Sequence, residues 1–141
     1  METSAVRQRV NLIIDAARRD AAERRSRNDE AAKAYERFLD KVAIPLVRQL
    51  ADALKASHYP FSVFTPGGSV RLMSDKNAED FVEIALDTSG AQPMVVGHVS
   101  RARGRRVLES ERPIADGAVQ DLTDEDVLAF LLGELRPFVE R

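Results

Sequence analysis

The glycines of this chain are confined to its second half. All seven lie between Gly67 and Gly133, so the first 66 residues contain none. Glycine is the residue that most readily adopts a positive φ, and tight turns that need this conformation are therefore not expected in the opening segment. That segment is rich in Ala, Arg, Glu and Leu, which favour helix. The sequence therefore predicts a long helical first half.

The second half shows the pattern of an antiparallel sheet. Short runs of alternating apolar and polar residues are separated by Gly, Pro, Asn and Asp, which is typical of strands joined by turns. Each connection is too short to hold a helical crossover, so a meander is the simplest topology. The predicted strands are Phe61 to Phe64, Ser69 to Met73, Phe81 to Asp87, Met94 to Arg101, and Arg105 to Glu111.

A second helix is predicted at the end of the chain, over residues 124 to 138. Thr123 and Asp126 have the spacing of a capping box, and Leu122 and Val127 have that of a hydrophobic staple. The fold class expected is α+β: a long N-terminal helical arm, a five-stranded antiparallel meander, and a C-terminal amphipathic helix packed on one face of the sheet. The C-terminal helix is apolar over much of its circumference, so we expect it to be buried on two sides or to contact another chain.

The chain divides into an arm, residues 1–27, and an α+β domain, residues 28–141, whose first helix covers residues 28–57 and whose strands cover residues 61–111. Residues 18–30 contain no large apolar side chain. Ser26 and Asp29 resemble a second capping box, so the arm is either one continuous helix or two helices that meet near residue 27. Pro45 lies inside the next apolar stripe and predicts a kink between Lys41 and Pro45.

The arm carries an apolar stripe, formed by Val6, Val10, Ile13 and Ala17 at the 4-3-4 spacing of a coiled coil. In a continuous helix of about 50 residues, roughly 75 Å long, this stripe lies beyond the domain and needs a partner. A twofold homodimer is the commonest soluble oligomer. We therefore expect a non-enzymatic, homo-oligomeric interaction or scaffold module. The expected contact residues are Val6, Val10, Ile13, Tyr35, Phe38, Phe130 and Leu132.

Composition excludes several classes of site. The chain has no cysteine, which removes disulfides, thiolate-ligated metals and cysteine nucleophiles. The two histidines are far apart in sequence and form no known metal motif, and no phosphate-binding loop or nucleophile elbow is present. We expect no cofactor, no metal and no catalytic residue. No apolar run is long enough for a membrane span or a signal peptide, so a cytoplasmic location is predicted.

Two alternative functions remain open. Arg101, Arg103, Arg105 and Arg106 crowd the predicted tip of the last hairpin, and arginine is well suited to bind phosphate, so the hairpin could bind nucleic acid or another polyanion. The overall charge argues against this, because residues 109–141 carry nine acidic and three basic side chains.

The second alternative is a ligand-binding or catalytic sheet centred on His98. In this hypothesis His98 is a general base that Glu83 or Glu109 orients from a neighbouring strand. The other histidine, His58, is predicted to stabilise the negative end of the long helix.

Overall fold

The computed structural model describes residues 1–140 and confirms the predicted α+β architecture. A single long helix is followed by five strands, a short 3-10 turn and a last helix. The helical segments are α1 (Thr3–Phe38), a π-helical segment (Leu39–Ala43), α2 (Ile44–Ala56), the 3-10 turn (Val119–Asp121) and α3 (Asp124–Glu140). The strands are β1 (Phe61–Phe64), β2 (Val70–Ser74), β3 (Phe81–Asp87), β4 (Met94–Arg103) and β5 (Arg106–Pro113).

The helix does not break at Ser26. Residues 18–30 continue α1 without interruption, and Ser26 and Asp29 lie inside it. The reason is local: this stretch is dominated by Arg, Ala and Glu and contains neither Gly nor Pro, so every residue can remain helical. The alternative of two helices meeting near residue 27 is therefore wrong.

Pro45 is accommodated by the π-helical segment rather than by a break. Just before the proline, the Ile44 amide donates to the carbonyl of Leu39, five residues back instead of four. This wider turn makes room for the ring of Pro45, which would otherwise clash with the preceding turn. Pro45 also has no N–H to donate, so the regular hydrogen-bond pattern cannot continue there. Leu39 and Ala43 both remain buried, so the apolar face of the helix continues through this segment.

The five strands form one antiparallel sheet in the order β1-β2-β3-β4-β5, the predicted meander. The β4–β5 hairpin turns through Gly104 and Arg105. Gly104 has φ of +63° and Arg105 has no positive φ, a pattern typical of a type II′ turn. This turn twists in the same sense as the strands, so the two strands stay paired up to Arg103 and Arg106.

The core lies between the helices and one face of the sheet. α2 contacts β1 and β2, and α3 contacts β3 and β4. Leu72, Ile84 and Leu131 are almost completely buried in this layer. α3 begins as predicted, because the Asp126 amide donates to the Thr123 hydroxyl and the Thr123 amide donates to the Asp126 carboxylate. One face of the sheet is therefore packed, and the other carries no helix.

Candidate functional site

The apolar stripe of the arm is exposed along its whole length. Val6, Val10 and Ile13 are 45%, 46% and 70% exposed, and Ala17 is also exposed. The first buried residue of the chain is Ala31. Because a helix rises about 1.5 Å per residue, the segment from Thr3 to Arg27 extends about 36 Å beyond the packed part of the molecule. We call Val6, Val10, Ile13 and Ala17 the arm stripe.

The arm stripe lies on the same side of the helix as the core residues. Ile13 precedes Ala31 by 18 residues, and Ala17 precedes Tyr35 by the same interval. Eighteen residues are five turns at about 3.6 residues per turn, so both pairs have the same orientation about the helix axis. Ala31 and Tyr35 are buried against the rest of the chain. The arm stripe thus has the same orientation as the packing face of α1, and residues 18–30, which contain no large apolar side chain, separate the two.

Three of the predicted contact residues belong to the core of the chain itself. Tyr35, Phe38 and Phe130 are at most 6% exposed, so their apolar surface is already covered. The Tyr35 hydroxyl donates to the carbonyl of Gly68 at 2.6 Å, and burial, followed by the charge of Glu83, raises the pKa of this hydroxyl. These three side chains therefore have almost no exposed apolar surface with which to contact a second chain.

Leu132, the remaining predicted contact residue, is 53% exposed and lies beside an apolar groove. The groove has a volume of about 580 Å³ and runs between the end of α2 and the second half of α3. We call it the C-terminal groove. Its apolar lining consists of Leu50, Ala53, Leu54, Tyr59, Leu132, Leu135 and Val139. The sequence shows Leu50 and Leu54 as part of one helical stripe and Leu132 as part of another, but their juxtaposition depends on the packing of α2 against α3.

The four arginines of the polyanion hypothesis lie together on the β4–β5 hairpin. Arg103, Arg105 and Arg106 are exposed, and Arg101 is partly buried. Within residues 1–140, no ion pair involves any of the four. Carboxylates lie nearby, because Glu109 and Glu111 follow on β5 and Glu140 lines the same cleft as Arg101 and Arg103. The hairpin is thus basic only at its tip.

On the sheet face away from the helices, Glu83 is the centre of a polar cluster. Its Oε1 atom accepts a hydrogen bond from the Ser69 hydroxyl at 2.5 Å, and its Oε2 atom accepts one from Arg71 at 2.7 Å. Burial by itself raises the pKa of Glu83, but the hydrogen bonds from Ser69 and Arg71, with the positive charge of Arg71, outweigh burial and hold this pKa below its ordinary value. The Arg71 guanidinium also lies 4.0 Å from the centre of the Phe81 ring. Both carboxylate oxygens of Glu83 are therefore engaged, one by Arg71 of β2 and one by Ser69, the residue before that strand.

His98 lies opposite Glu83 in the β3–β4 register, but its Nε2 atom faces Glu109. The distance from Nε2 to the Glu109 Oε1 atom is 3.6 Å, which is too long for a hydrogen bond. Nε2 is buried and has no hydrogen-bond partner among the described residues. The nearest hydroxyl on the same face of β4, that of Ser100, donates to the carbonyl of Glu79. His98 thus has a carboxylate beside it and no hydrogen-bonded nucleophile in the described chain.

Residues 1–140 contain neither a metal-binding cluster nor a membrane-spanning helix. No group of three His, Asp or Glu side chains is arranged there to hold a metal ion. In the same part of the chain, no helix combines the length and the apolar character that crossing a membrane requires.

Comparison with known proteins supplies no family for this chain. No protein-family model, no curated protein and no solved structure matches it. Any functional assignment therefore depends on the surfaces described above.

Proposed function

We propose that this chain is a non-enzymatic, self-associating protein-interaction module that forms a twofold homodimer through the arm stripe. In this proposal residues 1–27 are the assembly segment, and the domain that begins at residue 28 is the part that the assembly presents to other molecules.

The observation that carries the proposal is the exposure of the arm stripe on an uninterrupted helix. An isolated helix is marginally stable in water, and most helical stability in proteins comes from packing of an apolar face. Here the arm stripe ends at Ala17, about four turns before the first core residue, Ala31, and no side chain of residues 1–140 covers it. A second copy of the chain is present in every solution of the protein. In a twofold arrangement each copy can cover the arm stripe of the other.

The two alternative functions have less support. The arginines of the β4–β5 hairpin have carboxylates nearby, Glu109 and Glu111 on β5, which weaken the local positive potential that polyanion binding needs. His98 lacks a hydrogen-bonded nucleophile, and Glu83, one of its two predicted orienting groups, is occupied by Ser69 and Arg71. Both remain predictions, and self-association is the function that we favour.

The test replaces Val10 and Ile13 together by Asp and measures solution mass by static light scattering. We expect the unmodified chain to have twice the 15.7 kDa mass of one chain and the double variant to have the mass of one. The twofold dimer loses four apolar contacts, two from each chain, of about 1.5 kcal/mol each, which raises the dissociation constant roughly 10⁴-fold.

A matched control places the same two charges on the other side of the arm, as Gln8→Asp with Leu12→Asp. Leu12 is 64% exposed and lies away from the arm stripe, so this variant changes the charge of the helix as much as Val10→Asp with Ile13→Asp does, and it should remain a dimer. An unmodified chain with the mass of a monomer, or a Val10→Asp, Ile13→Asp variant that is still dimeric, would contradict the proposal.

A further inference from the structure

The residues that follow the arm stripe continue its spacing, but they are charged. Alternate steps of three and four residues lead from Ala17 through Asp20, Arg24 and Arg27 to Ala31, the first core residue. The three charged side chains are exposed, and none of them forms an ion pair within residues 1–140. A second helix that lies along the arm stripe therefore meets charged positions if it continues towards the domain.

A parallel pair of arms places each of these charges against its own copy. In a parallel twofold pair, each residue on the line of contact faces the same residue of the second chain. Asp20 would face a second aspartate, and Arg24 and Arg27 would each face a second arginine. Like charges at such short distances repel each other, so three successive layers would oppose a parallel pair.

The domain also obstructs a parallel pair. Ala31 and Tyr35, at the base of the arm, have the orientation of the arm stripe about the helix axis, and their own chain covers both. The Tyr35 hydroxyl donates to the carbonyl of Gly68 beside the sheet, and the 3-10 turn packs on α1. These groups occupy the space that a parallel second α1 would need beyond residue 30. Because α1 continues without a break to Phe38, the two helices could not turn away from each other there.

An antiparallel pair gives every residue of the arm stripe an apolar partner. When Val10 of one copy lies opposite Ile13 of the other, Val6 lies opposite Ala17, and the twofold axis repeats both contacts. A register shifted in one direction places Val10 opposite Asp20. A shift in the other direction moves Ala17 past the start of the second α1. One antiparallel register therefore uses the whole arm stripe.

The same register separates the charged positions from their copies. α1 begins at Thr3, which in this register lies opposite Asp20 of the second copy. Arg24 and Arg27 are four and seven residues further along the helix, past the start of the second α1 and surrounded by water. Ala31 is eleven residues beyond Asp20, so about 16 Å of helix separates each domain from the start of the other α1. Neither the like charges nor the domains obstruct this arrangement.

We propose that the two arms pair in antiparallel orientation, with Val10 of each copy on Ile13 of the other, and that the dimer holds its two α+β domains at opposite ends. This inference rests on the proposed self-association and gives it an orientation and a register. The twofold axis passes midway between Val10 and Ile13, so each Ala31 lies about 29 Å from it along the helix. The packed parts of the two copies are thus about 58 Å apart, and the dimer is elongated.

Disulfide trapping distinguishes the two orientations, because the chain has no cysteine of its own. Val6→Cys and Ala17→Cys, each in the full-length chain with a different affinity tag, are mixed under reducing conditions to exchange subunits and are then oxidised. We expect a disulfide that joins one variant to the other. A disulfide needs Cβ atoms about 4 Å apart, whereas two copies of residue 6 lie about 16 Å apart along an antiparallel pair.

The trapping outcomes separate this inference from the proposed function. Disulfides that join two copies of the same variant would overturn the antiparallel orientation while leaving self-association intact. No disulfide of either kind, in a mixture that has the mass of a dimer before oxidation, would overturn the register. A monomeric mass for the unmodified chain would overturn both the proposed function and this inference.

A second measurement leaves the arm stripe unchanged. A spin label on Asp29→Cys, an exposed position outside the paired segment, gives the distance between the two copies by double electron–electron resonance. We expect about 52 Å for the antiparallel pair, whereas a parallel pair would give less than about 25 Å and would overturn the inference. Leu12→Cys is the matched control: it lies beside the twofold axis, so it should give a short distance in either orientation and shows that the labelled chains are paired.

Discussion

At the scale of single residues, His58 shows how the long helix ends. Among residues 1–140 it is the only residue other than glycine with a positive φ, 68°. The His58 amide donates to the carbonyl of Lys55, and the Tyr59 amide donates to that of Leu54, which is the hydrogen-bond pattern of a Schellman motif. His58 therefore occupies the left-handed position that glycine normally fills.

We predict that His58→Gly stabilises the protein by about 0.5–1 kcal/mol, because glycine adopts this backbone conformation without the steric cost of a Cβ atom. Urea unfolding at a fixed protein concentration measures the change. His58→Ala is the matched control, since it removes the imidazole but keeps the Cβ atom, and it should give no gain. A gain of equal size in both variants would show that the ring, and not the backbone, is responsible.

The structure gives His58 a role in addition to the one predicted from its position. The helix was predicted to end at residue 57 and ends at Ala56, and the imidazole was expected to interact with the helix dipole. The structure adds a backbone role, which no pattern in the side chains indicates, because a positive φ at this residue results from Tyr59 turning back towards the core.

At the scale of elements, Gly97 decides how closely α3 approaches the sheet. A Cβ atom on Gly97 would lie 1.9 Å from the Cζ atom of Phe130, so the Phe130 ring lies directly on the β4 backbone. Arg112, which is opposite Gly97 in β5, places its guanidinium 4.6 Å from the centre of the same ring. Glu134 accepts a hydrogen bond from Arg112 at 2.9 Å. A ring, a glycine and an ion pair thus fix α3 on the last two strands.

We predict that Gly97→Ala destabilises the fold by about 3 kcal/mol, because the Phe130 ring and α3 must move to admit the new methyl group. Combining it with Phe130→Leu should recover part of this loss, since the smaller side chain leaves room, and a double-mutant cycle measured by urea unfolding gives the coupling.

The control for this prediction is Gly133→Ala. Gly133 is in α3, and a Cβ atom there would have no atom within 4 Å in its own chain. This substitution should therefore stabilise the helix by up to about 1 kcal/mol. If Gly97→Ala were as well tolerated as Gly133→Ala, the close approach of Phe130 to β4 would not limit the packing of α3.

At the scale of the whole molecule, the arm is structurally separable from the remainder. Every buried residue lies at or after Ala31, so residues 1–27 contribute nothing to the core. We predict that a chain beginning at Asn28 folds, unfolds cooperatively in urea, and has the mass of a monomer. Its free energy of unfolding should equal that of the monomeric Val10→Asp, Ile13→Asp variant within about 0.5 kcal/mol.

The comparison with that variant removes the contribution of dimerisation, which stabilises the unmodified chain by mass action. A chain beginning at Asn28 that fails to fold would show that the arm supports the domain directly. One that folds and remains dimeric would move the interface away from the arm.

The amino-acid sequence by itself determined the features that depend on neighbouring residues. β1 and β3 have the predicted bounds, because alternation over four to seven residues is a local signal. The start of α3 was predicted from Thr123 and Asp126, which bond to each other across one turn. The arm stripe could also be predicted from the sequence, because helical spacing defines one face of a helix without reference to the rest of the chain.

The tertiary structure alone decided which apolar faces are covered. Two sets of residues lie at the same helical apolar spacing in the sequence but differ in burial. Tyr35, Phe38 and Phe130 are buried, whereas Val6, Val10 and Ile13 are exposed. In the long helix the difference arises because the sheet lies beside only one half of it, whereas Phe130 is buried because α3 packs on β4 at Gly97. The C-terminal groove likewise exists only once α2 and α3 pack side by side, and residues about 80 positions apart meet there through long-range packing that local periodicity does not encode.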